Sequence, residues 1–108
     1  MLVASAVRVS AHAVLTRSSL RDVPVRANTS TDVTLTFNSE IEPTLTQVVL
    51  RGDGADRPLT VRAGAKPSQV DVTVPALPPG SYALTYKVLA TDGHVTENVL
   101  RFQVAPPR

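Results

Sequence analysis

Val33, Leu35 and Phe37 alternate with Thr34 and Thr36 in the run DVTLTF. Side chains on a pleated strand point alternately to opposite faces, so this spacing predicts a strand with one face in a core and the other in water. The same reading holds for Val70, Val72 and Val74 in QVDVTVP, for Tyr82, Leu84, Tyr86 and Val88 in SYALTYKV, and for Leu100, Phe102 and Val104 in VLRFQV. Shorter candidates are AVLTRS from Ala13, TQVVL from Thr46 and LTVRA from Leu59, giving about seven strands. No segment carries apolar residues at helical spacing for three turns, and the many valines and threonines favour extended backbone.

Turn-forming clusters separate the strands: RGDGADRP at 51–58, AGAKPSQ at 63–69, ALPPG at 76–80 and TDGH at 91–94. Regularly spaced short strands with such breaks predict an all-β fold, an antiparallel Greek-key β-sandwich of immunoglobulin-like architecture. The chain has 108 residues, enough for one domain with one core. It has no cysteine and no tryptophan, so the hallmark residues of antibody domains are missing. There is no internal repeat and no linker.

Composition narrows the function. Eleven basic and nine acidic residues leave a formal charge of +2, with lysine and arginine scattered singly and only 4% aromatic residues. That pattern offers neither a phosphate-tracking stripe nor a base-stacking platform, so nucleic acid is not an expected partner. No apolar run is long enough to span a membrane. Without cysteine there is no disulfide framework, thiolate metal site or cysteine nucleophile.

The chain opens with MLVASAVRVSA, small and apolar residues ending in Val9-x-Ala11, a pattern of the kind that precedes a signal-peptidase cut. Residues 1–11 are therefore expected to be the remnant of a signal peptide or a leader, and cleavage would expose His12. The charged start of a complete export signal is missing, and the competing reading of these residues is a first strand alternating around Val7 and Val9.

Asp92 and His94 in TDGH stand two apart, which in extended backbone puts both on one face about 6.6–6.8 Å apart, with Gly93 free to let them converge on one ion. An Asp-Gly turn followed by an exposed histidine is the plainer account of the same four residues. With His12 as a new N-terminus, its amine and imidazole Nδ1 would chelate one metal. Asp92 and His94 would complete three nitrogens and one oxygen, a donor set that points to Cu(II). The only methionine is Met1, so soft donors for Cu(I) are lacking.

The runs HAVL at 12–15, VTLTF at 33–37, LPPGSYALTYKVLATDGH at 77–94 and LRFQV at 100–104 resemble the CopC family of periplasmic copper-resistance proteins. The resemblance implies a small β-sandwich over residues 12–108 that binds one Cu(II) per chain through His12, Asp92 and His94. It also implies export to the periplasm or its equivalent, and a role in copper sequestration, transfer or resistance. The methionine-rich Cu(I) segment of some members is absent. Glu40 is out of register with the carboxylate that some members carry after the phenylalanine of VTLTF, and it is given no role. The expected partners are the copper ion and a membrane copper transporter, and the chain is expected to be a monomer and not an enzyme.

Other signals are weaker. Arg51-Gly52-Asp53 spells an integrin-binding tripeptide, so the alternative from another class is an extracellular adhesion module without metal. Asn28-Thr29-Ser30 fits a glycosylation acceptor but reads more simply as a turn. Asp53 and Asp56 lack the ligand spacing of a calcium loop. No nucleophile elbow selects a catalytic serine.

Overall fold

The computed structural model of the protein describes residues 13–22, 25–52 and 54–107. Among the described residues nine strands are formed: β1 (Leu15–Ser18), β2 (Val25–Arg26), β3 (Thr31–Phe37), β4 (Gln47–Gly52), β5 (Ala55–Leu59), β6 (Val61–Ala63), β7 (Gln69–Val74), β8 (Gly80–Leu89) and β9 (Val95–Ala105). One helical turn, α1 (Ser19–Asp22), follows β1, and a 3-10 turn at Pro43–Leu45 precedes β4. The strands make a four-stranded sheet, β1-β3-β7-β6, and a five-stranded sheet, β2-β9-β8-β4-β5.

The alternation read from the sequence is the packing of the molecule. Val33, Leu35 and Phe37 of β3 and Val70, Val72 and Val74 of β7 are buried from one sheet. Val48 and Leu50 of β4, Tyr82, Leu84, Tyr86 and Val88 of β8, and Leu100, Phe102 and Val104 of β9 are buried from the other. Register locks these faces: Leu35 is opposite Val70, Val33 opposite Val72, Leu84 opposite Leu100 and Tyr82 opposite Phe102. A slip of one residue would turn every one of these side chains to water. Across the two sheets Phe37 meets Tyr86 edge-on, with ring centroids 5.7 Å apart.

Several expectations are amended. The described residues form nine strands where about seven are expected. β5 lies inside the stretch 51–58 that reads as a turn cluster; four of its five residues are exposed, so it carries no apolar alternation. Its proline, Pro58, sits on the sheet edge, where a missing N–H costs no ladder bond. The two-residue β2 pairs in parallel with β9, an exception to an otherwise antiparallel sandwich. α1 is a single turn, and the Ser18 hydroxyl accepts the Leu20 N–H at its start (3.2 Å). Residues 1–11, read either as a leader or as a first strand, lie outside the described residues, as does His12.

Candidate metal centre

β8 and β9 pair over ten positions, from Gly80 opposite Val104 to Leu89 opposite Val95, the longest ladder of the molecule. TDGH is the tip of this hairpin. The Gly93 N–H donates to the Ala90 carbonyl (2.9 Å) and the Ala90 N–H to the His94 carbonyl (2.9 Å), closing a three-residue loop. Such loops place their last residue in the left-handed region. Gly93 has φ +94 with open space where a Cβ would stand, so glycine is needed here for its backbone alone.

The turn reading and the ligand reading of TDGH are compatible. Asp92 Oδ1 accepts the His94 backbone N–H at 3.0 Å and lies 3.2 Å from His94 Nδ1. Both side chains are about half exposed, at 45% and 53%. The His94 N–H is the largest influence on the Asp92 carboxyl and holds its pKa below the ordinary 3.8; desolvation opposes it, and the His94 ring adds smaller contributions in the lowering direction. Asp92 is therefore an anion at every physiological pH. Two donors in neighbouring corners of a square, with metal bonds near 2 Å, stand about 2.8 Å apart. The oxygen and nitrogen of this pair, 3.2 Å apart, are already close to that separation, so an ion bound between them needs little rearrangement.

A single stretch, Asn38–Glu42, ties the segment that follows residue 12 to this turn. On one side the Val14 N–H donates to Asn38 Oδ1 (2.8 Å) and the Asn38 N–H donates to the Val14 carbonyl (3.0 Å). On the other side Ile41 bridges Ala90, the Glu42 N–H donates to the Leu89 carbonyl (2.9 Å) and the Thr91 N–H to the Glu40 carbonyl (3.0 Å). Ala13, fully buried, lines the same cavity as Thr96, two residues beyond His94.

Of the residues expected at a metal site, Asp92 and His94 are brought together and His12 lies outside the described residues. Glu40 comes alongside the turn through its backbone carbonyl. Among the described residues, no three His, Cys, Asp or Glu side chains form a cluster able to hold a metal. Asn38 belongs to no recognisable motif in the sequence; its only trace there is a small polar residue at a strand exit.

The integrin-like tripeptide finds another explanation. Arg51 Nη1 lies 2.6 Å from Asp56 Oδ2, and Arg51 Nε donates to Thr85 Oγ1 at 2.8 Å, which ties the guanidinium to the two neighbouring strands. Gly52 belongs to β4 and has φ +132, and a Cβ there would fall 2.6 Å from the Tyr82 ring. Asp53 lies outside the described residues.

The domain profile described as the CopC domain matches residues 15–105. No curated protein sequence matches the chain. Among solved structures, CopC from Methylosinus trichosporium OB3b is 26% identical with a TM-score of 0.73, covering 90% of this chain and 97% of that one. PcoC, a methionine-rich copper resistance protein from Escherichia coli, is 19% identical with a TM-score of 0.62, covering 88% of this chain and all of its own (100%), and it shares the fold. With the profile spanning both sheets and the β8–β9 turn, this chain belongs to the CopC family.

Proposed function

We propose that the protein binds one Cu(II) per chain at the tip of the β8–β9 hairpin, for sequestration, transfer or resistance in the periplasm or an equivalent exported compartment. His12, once it is the first residue, supplies its amine and imidazole, His94 a second imidazole and Asp92 a carboxylate oxygen. The observation that carries this reading is the double attachment of Asn38–Glu42, to Val14 on one side and to Leu89–Thr91 on the other. It keeps the chain just after residue 12 in register with the turn that bears Asp92 and His94. Supporting it are the family, the CopC and PcoC likenesses, and a set of nitrogen and oxygen donors without thiolate, which suits the cupric ion.

The protein acts as a carrier and not as an oxidase, because a carboxylate beside three nitrogens fills the plane around the ion. A membrane copper transporter is its partner, and the chain works as a monomer. Competition titration and electron paramagnetic resonance on protein beginning at His12, and on protein retaining Met1, test the site. The expected result is one Cu(II) bound to the first form, and far weaker binding or a changed spectrum in the second, where the nitrogen of His12 is an amide. Equal affinities and superimposable spectra would overturn the role of the amine. Oxygen consumption with copper and ascorbate, expected to stay at the level of free copper or below, checks the carrier reading.

A further inference from the structure

Between the start of β1 and the middle of β9 the surface dips into a cavity of about 220 Å³. One water in the liquid takes about 30 Å³, so the space exceeds a single solvent site. The polar lining comes from three elements: Arg21 of α1, Tyr86 of β8, and Thr96 and Asn98 of β9. Ala13 and Val14 contribute to an apolar wall. Among the described residues, no acidic side chain lines it.

Two features of the lining point to a ligand. The Thr96 hydroxyl oxygen is buried and has no hydrogen-bond partner among the described residues. A native fold seldom leaves such a group unsatisfied unless water or a ligand completes it. Tyr86, opposite Asn98 in the ladder, is pushed up in pKa by burial and pulled down by the Arg21 charge, so the guanidinium field reaches its hydroxyl. That hydroxyl stays protonated at neutral pH and is a donor. The cavity thus presents one fixed cation and several neutral donors, the complement of an anion. The planar fork of a guanidinium matches a carboxylate, and the apolar wall suits a short aliphatic chain better than a strongly hydrated inorganic ion.

We propose that the cavity between β1 and β9 binds a small aliphatic carboxylate, with Arg21 as the charged anchor and Thr96, Asn98 and Tyr86 as hydrogen-bond donors. None of these residues belongs to the copper set, and the site is tested on metal-free protein. Acetate binding and copper binding are read out separately, so failure of one leaves the other to its own test.

The experiment is amide NMR of the metal-free full chain titrated with sodium acetate, and separately with sodium chloride at matched ionic strength. Saturable shifts centred on Ala13, Thr96 and Asn98 are expected with acetate, and about tenfold weaker binding with chloride. Arg21→Gln is expected to weaken acetate by about tenfold, the loss of a charge-assisted hydrogen bond. Thr96→Val keeps the shape of the side chain; it should weaken acetate as well, while raising the melting temperature in acetate-free buffer by removing an unpartnered buried hydroxyl. Shifts that never saturate, equal responses to the two anions, or acetate binding indifferent to Arg21→Gln in a variant with a well-dispersed spectrum would each overturn the proposal.

Discussion

Val14 and Asn38 hold each other twice: the Val14 N–H donates to the Asn38 side-chain oxygen at 2.8 Å, and the Asn38 N–H donates to the Val14 carbonyl at 3.0 Å. The first bond is a side chain standing in for a missing ladder carbonyl, since β1 does not begin until Leu15 and its pairing with β3 is irregular between Leu15 and Arg17. Asn38 thereby extends the order of β3 towards residue 12.

Asn38→Ala removes that acceptor and leaves the backbone pairing of Val14 one-sided. The expected cost in stability is about 0.5–1.5 kcal/mol, because the bond lies at the surface and water replaces it in part. Copper affinity is expected to fall several-fold in protein beginning at His12, as the first ligand loses its tether. Asn38→Asp keeps an acceptor oxygen in place and should retain most of the stability. Urea denaturation and competition titration on both variants check this.

Gly93→Ala places a Cβ on a residue with φ +94. No atom lies in its way, so the penalty is backbone strain alone, about 1–2 kcal/mol. The loop is expected to relieve it by shifting Asp92 and His94 relative to each other, and their 3.2 Å separation is lost. Thermal unfolding should report the strain and the copper spectrum the displaced donors; an unchanged spectrum together with unchanged stability would contradict the turn geometry.

The central strands are legible in the sequence because burial imposes period two on them: each apolar residue of DVTLTF, QVDVTV and SYALTYKV is buried in the core. β5 was not legible for the opposite reason, since Ala55–Arg57 and Pro58 all face water and only the pairing with β4 makes the segment a strand. β2 owes its two residues to a parallel partner nearly 80 positions away, which local pattern cannot show. At the site, Asp92 and His94 were readable because their partnership spans two positions. Asn38 was not, because its function is a hydrogen bond to a residue 24 positions earlier.

Asp92 is held ionised by the His94 N–H, with its pKa below 3.8. A carboxyl with a depressed folded-state pKa contributes stability above its unfolded value and loses that contribution as pH falls through the lower, folded value. Hence Asp92 takes up no proton in the range where copper binding is measured. The fall of affinity with acidification then comes from the nitrogen donors, which must shed protons to bind metal. Asp92→Asn is expected to weaken copper by at least about tenfold, no less than the loss of an outer-shell partner. Competition titrations between about pH 5.5 and 8 should show weaker copper binding by Asp92→Asn than by the parent protein at each pH; equal affinities would remove Asp92 from the ligand set.

Gly52→Ala separates fold from site. The new Cβ would stand 2.6 Å from Cδ2 of Tyr82 on a residue with φ +132, so both crowding and backbone oppose it. Tyr82 is stacked on Phe102 and its hydroxyl donates to the Pro78 carbonyl (2.8 Å), which leaves the ring little room to retreat. Destabilisation of about 1–3 kcal/mol is expected. At about 4–8 °C per kcal/mol for a domain near this size, the melting temperature should drop by several degrees or more. Copper affinity should not change, because Tyr82 and Ala90 lie at opposite ends of the β8 hairpin arm, about 26 Å apart at 3.3 Å per residue. A loss of copper binding in folded Gly52→Ala protein would show that the ion sits elsewhere than at the β8–β9 turn, since the contact this glycine makes possible is confined to the far end of the sheet.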